Sequence, residues 1–231
     1  ALADEALSWQ VMGATQGGLL AFRRAGGTAG AALVPDLASA MPKVSADGRT
    51  LTFTLRDDVR FGPPASRPAV AGDVKASLER MLLLDSRGAS LYRSIKGADA
   101  VIAHRSRLLS GVVADDDAGT VVITLTRRDP AVLEALALPW ASVVPRGTRA
   151  VDQTVDPPAG IGPYVISAFD PGTRIVLTPT PGFVARDGLP AGASSRITIT
   201  LGNTTRDAAV AVAKGDADYS VLPVPASATQ G

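Results

Sequence analysis

At 231 residues, with 46% hydrophobic and 19% charged side chains, the chain is long enough for a substantial core and too apolar to be disordered. A net charge of +1, from 23 basic and 22 acidic residues, gives no concentrated positive face for nucleic acid, and no apolar run reaches the roughly 20 residues of a membrane span. The lack of cysteine removes disulfides and thiolate metal sites without fixing a compartment.

The opening ALADEALSWQ has neither the basic start nor the apolar run of a signal peptide, so export would need a leader that this sequence does not contain. The first clear element is a hairpin, Met41 to Val44 with Arg49 to Arg56, around an Asp47-Gly48 turn. Its second strand alternates as LTFTL, with Leu51, Phe53 and Leu55 on one face. FGPPASRP reads as a loop. Asp73 then caps a helix whose Val74, Leu78, Met81 and Leu82 form one apolar stripe, ending near Asp85 to Gly88. A shorter helical stretch carries Leu91, Tyr92 and Ile95 up to Gly97. The basic run His104 to Arg107 has no aromatic neighbours to make a stacking platform for bases.

GVVADDDAGTVVITLT reads as two strands around an acidic turn. Three adjacent Asp invite a calcium reading, against which stands the absence of a glutamate at EF-hand spacing. Asp129-Pro130 starts a helix, AVLEALAL, that buries Val132, Leu133, Leu136 and Ala137 and breaks at Pro139. WASVVP follows as a short strand, then strands at Tyr164 to Phe169 and Arg174 to Thr178, and SRITITL at Ser195 to Leu201. Thr204 or Thr205 caps the helix RDAAVAVAKG, closed by Gly215, and a last strand, DYSVL, runs into Pro223 and Pro225. Strands and helices interspersed in this way point to an α/β fold with some antiparallel pairing.

Catalytic patterns are sparse. The one histidine, His104, sits in a polar loop, and there is no Gly-x-Ser-x-Gly elbow. Gly160-Ile161-Gly162 is followed by Pro163, which lacks the N–H a phosphate cradle needs. Asp57 and Asp58 are neighbours at a strand end and point to opposite faces. No enzyme, metal or cofactor is expected.

The ordered segments Pro35 to Ala38, Asp47 to Arg56, Val59 to Phe61 and Asp73 to Arg80 resemble the signature region of the family 5 extracellular solute-binding proteins, the peptide and nickel receptors of ABC importers. GIGPYVISAFDPGTRIVLTPTPGF resembles that family's Gly-Thr-Gly-Pro-Tyr turn, its Pro-Gly hairpin and its Asn-Pro-x-Tyr-Trp exit, and RDAAVAVAKGDADYSVL its helix before the crossover between lobes. The resemblance runs from about Gly17 to Val221, with three departures: a rewritten loop at Gly62 to Pro68, an exit reduced to Thr180 to Phe183, and a chain that stops soon after Val221, which reads either as a fragment or as a single-lobe module.

The resemblance implies a type II periplasmic-binding-protein-like α/β fold, a mixed sheet with flanking helices, of which the first lobe is present and the second missing. Residues 1–50 and 151–222 are then lobe I segments, 51–150 an inserted subdomain of the same lobe, and 223–231 the crossover. The implied ligand wall comprises Thr15, Gln16, Leu138, Trp140, Gly160, Ile161, Gly162 and Tyr164. Trp140 has two readings, stacking on ligand or filling the core, and so does the Gly160 to Tyr164 turn, as cleft wall or as the start of a well-made strand. The implied partners are a small solute such as an oligopeptide, ABC permease subunits and the second lobe, with no nucleic acid, in an extracytoplasmic and membrane-anchored protein. The alternative is a sensor or scaffold domain that keeps the fold without transport.

Overall fold

The computed structural model describes residues 6–84, 86–153 and 155–222. Two compact units make up the chain, the first running to Val165 and including Pro179–Ser195, the second made of Ile166–Thr178 and the chain from Arg196 on.

The first unit begins with α1 (Ala6–Thr15), an element the sequence reading did not anticipate. β1 (Leu20–Phe22) and β2 (Leu33–Pro35) pair antiparallel, with Leu20 opposite Pro35. A four-stranded antiparallel sheet follows, built from β3 (Lys43–Val44), β4 (Thr50–Thr54), β5 (Val112–Asp115) and β6 (Thr120–Thr124) in the order β3-β4-β6-β5. The LTFTL alternation holds: Leu51 and Phe53 are buried and the intervening threonines are not. α2 (Ala71–Leu83) packs on β5 and β6 through Val74, Leu78, Met81 and Leu82, each at most 2% exposed.

Asp73 does not cap this helix from outside. It is the third helical residue, and the chain enters through an extended Val70 whose N–H donates back to the Asp73 carboxylate (2.9 Å). That is the reciprocal half of a capping box, so the acidic first-turn signal is real but sits three positions inside the boundary.

Arg87–Tyr92 is a 3₁₀ helix that buries Tyr92, whose hydroxyl donates to Ala135 O (2.6 Å), and leaves Leu91 exposed. Gly97, in the left-handed region at φ 89°, then admits α3 (Ala98–Ile102), a further unanticipated helix. α4 (Ala131–Ala135) is shorter than its sequence pattern and starts one residue beyond Pro130; Val132 and Leu136 are buried, Leu133 and Ala137 half-buried against the core.

WASVVP is not a strand. Pro139–Ala141 forms one 3₁₀ turn, and the extended residues after it send their N–H groups to scattered acceptors, Val143 to Gly17 O (2.7 Å) and Val144 to Ser77 Oγ (2.9 Å), with no ladder. Apolar β-formers at a proline-led helix break were mistaken for pairing capacity.

In the second unit the sheet order is β7 (Tyr164–Asp170), β8 (Arg174–Pro179) and β9 (Ile197–Thr200), with Arg174 opposite Thr200 across β8 and β9; the first two residues of β7 and the last of β8 belong to the first unit. The Pro171-Gly172 corner is closed by Thr173 N–H to Asp170 O (3.0 Å). α5 (Thr205–Lys214) has a full capping box between Thr204 and Asp207 and a left-handed Gly215 behind it. The last expected strand, Asp218 to Leu222, is bent and exposed instead, with Tyr219 at 67%. β-propensity needs a partner strand, and none pairs here among the described residues. Pro223 and Pro225 lie outside the described residues, as does the expected crossover 223–231.

Candidate functional site

The candidate wall is built on the C-terminal end of α1. Thr15 Oγ1 donates back to Val11 O (2.9 Å), which occupies the hydroxyl within its own helix. The Thr15 carbonyl accepts from Gly162 N–H (3.0 Å), laying the Gly160 to Gly162 turn against the helix end. A Cβ at Gly160 would fall within 3.0 Å of Thr15 O and Gln16 Oε1, and one at Gly162 within 3.0 Å of Ala14 O and the Thr15 backbone. Glycine is required at both because backbone meets backbone there. On its other side the turn accepts Gly62 N–H at Gly160 O (2.9 Å).

Gln16 is half-buried; its Nε2 donates to Pro158 O (3.1 Å), while its buried Oε1 has no hydrogen-bond partner. Beyond it, Gly17 O accepts Val143 N–H, which draws the Leu138 to Ala141 turn alongside the same strip. Leu138 and Trp140 are both half-buried. The Trp140 ring lies on Gly88, where a Cβ would be within 3.0 Å of three of its carbons, and forms a T-shaped pair with Trp9, ring centres 4.9 Å apart at 90°. An indole held against backbone and against a second ring in this way has little rotamer freedom left to lose when something stacks on it.

The eight expected ligand residues therefore divide. Thr15, Gly160, Ile161, Gly162 and Tyr164 are buried, Ile161 at 1% within the core, and Tyr164 has its hydroxyl donating to Ser194 O (3.0 Å) and accepting Ser194 N–H (3.1 Å). They form a base. Gln16, Leu138 and Trp140 carry the accessible side chains.

A feature the sequence reading missed lies beneath this base. Asp36 and Arg186 pair with Nε to Oδ1 at 3.3 Å, their side chains 7% and 4% exposed. Burial pushes the Asp36 carboxyl above its ordinary range, opposed by the Arg186 charge and by the Gly18 N–H it accepts (3.1 Å). At 150 positions apart in the chain, the two are linked by no local pattern.

The acidic turn works differently from a metal loop. Asp115 Oδ1 accepts Ala118 N–H (2.9 Å), and Asp116 accepts Gly72 N–H (2.7 Å) and Arg146 Nη1–H (2.9 Å), fastening the start of α2. Among the described residues no group of three or more His, Cys, Asp or Glu is placed to hold a metal ion. A depression of about 740 Å³ is lined by Ser39, Arg56, Asp57, Asp58, Val70 and Asp116 among others, and none of the eight expected ligand residues lines it. No described helix is long and apolar enough to cross a membrane.

Comparison with known proteins supplies the lineage. Residues 32–231 match the family model described as bacterial extracellular solute-binding proteins, family 5 Middle. The chain is 33% identical over 205 residues to Protein XP55 of Streptomyces lividans, covering 85% of this chain and 33% of that protein. It is 26% identical over 197 residues to the probable D,D-dipeptide-binding periplasmic protein DdpA of Escherichia coli, covering 82% and 34%. Among solved structures, the clavulanic acid biosynthesis oligopeptide binding protein 2 superposes with a TM-score of 0.80 at 26% identity, over 94% of this chain and 40% of that one. Peptide-bound OppA of Listeria monocytogenes shares the fold, with a TM-score of 0.76 at 18% identity, 93% of this chain and 42% of that one. The chain thus spans about a third of the length of the curated relatives and about 40% of that of the solved structures. The fold is type II periplasmic-binding-protein-like, and the chain belongs to the family 5 bacterial extracellular solute-binding proteins.

Proposed function

We propose that the chain is part of the solute receptor of an ABC-type importer and takes a peptide or other small solute on the strip formed by Gln16, Leu138 and Trp140, with Thr15, Gly160, Ile161, Gly162 and Tyr164 as its rigid base. The observation that carries this reading is Trp140, half-exposed, with its ring against Gly88 and in a T-shaped pair with Trp9. In this reading residues 1–50 and 151–222 are the lobe's own segments, 51–150 its insert and 223–231 the crossover. The facing surface comes from the length of the relatives that this chain does not span. Solute closes the two lobes, permease subunits recognise the closed form, and the protein works outside the cytoplasm on a membrane anchor without catalysing a reaction.

A one-sided strip buries far less of a ligand than the 70–90% or so of a good pocket. The 231-residue chain alone is therefore expected to bind short peptides no more tightly than about 1 mM, roughly −4 kcal/mol. Calorimetry with a panel of di- to pentapeptides tests both parts. The longer protein should bind a member of the panel, and Trp140→Ala should weaken that binding at least tenfold, about 1.4 kcal/mol. Binding at micromolar affinity by the 231-residue chain would overturn the one-sided account, and unchanged affinity in a folded Trp140→Ala protein would remove Trp140 from the site. A longer protein that binds no solute would favour the sensor or scaffold alternative.

A further inference from the structure

We infer that the Asp36–Arg186 ion pair is a clasp that sets where the Gly160 to Gly162 turn sits against the end of α1, which makes both side chains positioning residues for the solute strip, not solute contacts. The inference rests on the reading above for its functional meaning, and on the following geometry for its substance.

Each member of the pair holds one side of the base. Asp36 Oδ2 accepts Gly18 N–H (3.1 Å), fixing the strip that leaves α1 through Gln16 and Gly17. Arg186 Nη2–H reaches Ile161 O (3.5 Å), the carbonyl in the middle of the turn, and Nη1–H reaches Val184 O (3.3 Å). The root of the arginine is itself fixed, because its backbone exchanges both hydrogen bonds with Leu189 (3.0 and 2.9 Å) and its guanidinium sits 4.8 Å from the centre of the Phe183 ring. Between the two strips runs the backbone bond from Gly162 N–H to Thr15 O.

Burying two charges this deeply is a poor route to stability, since a well-packed apolar pair often does as well or better. What an apolar pair lacks is direction. A carboxylate and a guanidinium each take backbone partners at fixed angles, so they specify the spacing of the strips as well as holding them together. Arg186 Nε is buried and finds no well-aligned hydrogen bond, so the guanidinium is placed to suit Ile161 and Val184 as well as Asp36.

The test is amide hydrogen exchange on the ligand-free protein, comparing wild type with Asp36→Asn, Arg186→Met and Arg186→Lys. Exchange at Gly18 and Gly162 should accelerate at least tenfold in the first two, while Phe53 in β4 and Leu78 in α2 keep their wild-type rates. Arg186→Lys keeps the charge but not the fork, so it should restore Gly18 and leave Gly162 fast. Wild-type rates at both glycines, or an equal acceleration at all four amides, overturn the inference. If Arg186→Met does not fold, the isosteric Asp36→Asn decides, and failure of both to fold marks the pair as a general stability element and also overturns it. No ligand enters the measurement, so a failed clasp and a failed solute reading are told apart: the first shows in exchange, the second in calorimetry of the wild-type protein.

Discussion

Asp73 offers the most quantitative test of how the start of α2 is held. Its carboxylate is fully buried and accepts four hydrogen bonds: Arg67 Nη1 (2.8 Å), Arg67 Nη2 (2.7 Å), Val70 N (2.9 Å) and Arg146 N (2.7 Å). Asp73→Ala strands the two backbone donors at about 1–3 kcal/mol each. The Arg67 side chain is 36% exposed and can turn to water, which limits its share to about 1 kcal/mol. The total is about 5 kcal/mol, or a fall of about 10–20 °C in Tm for a chain of this size. Urea unfolding followed by circular dichroism at pH 7 measures it, and a loss below about 1 kcal/mol would refute the accounting. The pH dependence gives a second check. Burial alone would raise the Asp73 carboxyl, but the Arg67 guanidinium and the Arg146 and Val70 N–H groups outweigh it and hold the group below its ordinary value. The folded state therefore favours the ionised form, and the stability this contributes is complete above about pH 5 and drains as pH falls below about 4 through the lower folded value. The stability gap between wild type and Asp73→Asn should be flat above pH 5 and contract below pH 4. A gap that widens on acidification would contradict the assignment.

Three further outcomes follow from the same geometry. Gly88→Ala puts a methyl into the face of Trp140, so the near-ultraviolet dichroism of the Trp9–Trp140 pair should change while far-ultraviolet dichroism does not; an unchanged near-ultraviolet spectrum would mean the ring is not seated there. Tyr92→Phe removes the donor to Ala135 O inside the core and should cost about 1–2 kcal/mol in urea unfolding, with no loss meaning that the carbonyl finds another partner. Thr204→Ala removes the N-cap of α5 and should cost about 1 kcal/mol locally, read as faster exchange at Asp207 N–H and the following helical amides; unchanged exchange would show that the Asp207 side of the box suffices.

What the sequence made legible was local. LTFTL and the Val74, Leu78, Met81, Leu82 stripe each report a period within a dozen residues, and the Thr204 cap with Gly215 brackets α5 by residue type alone. The ordered motifs carried the family, because they are backbone-shaping residues at fixed spacing. WASVVP and DYSVL failed for a common reason: apolar and β-branched residues state a willingness to pair, and pairing depends on whether a neighbour arrives. Asp73 was placed at the wrong side of its helix boundary because a carboxylate at the cap and one in the first turn leave similar traces in sequence. Within the candidate site, what presses on Gly160 and Gly162 is the end of α1, a helix without an apolar stripe to announce it. Asp36 and Arg186 carry no signal of each other at all.

The order of the four-stranded sheet bears on how the chain comes to be folded. β4 takes its long partner from β6, so Thr50 waits for Thr124, about 70 residues later, before Leu51 and Phe53 are flanked on that edge. β5 and β6 can close early as a hairpin, with Asp115 opposite Thr120, but β4 gains that neighbour only when β6 arrives. At about 5–20 residues per second of synthesis, β4 spends about 4–15 s without that partner. Non-local closure of this kind is slow even once the whole segment is available. The four-stranded sheet therefore stays open on that edge until Thr124 is in place, while the β1–β2 pair, Leu20 with Pro35, can close far earlier, so the two sheets are sealed at separate moments.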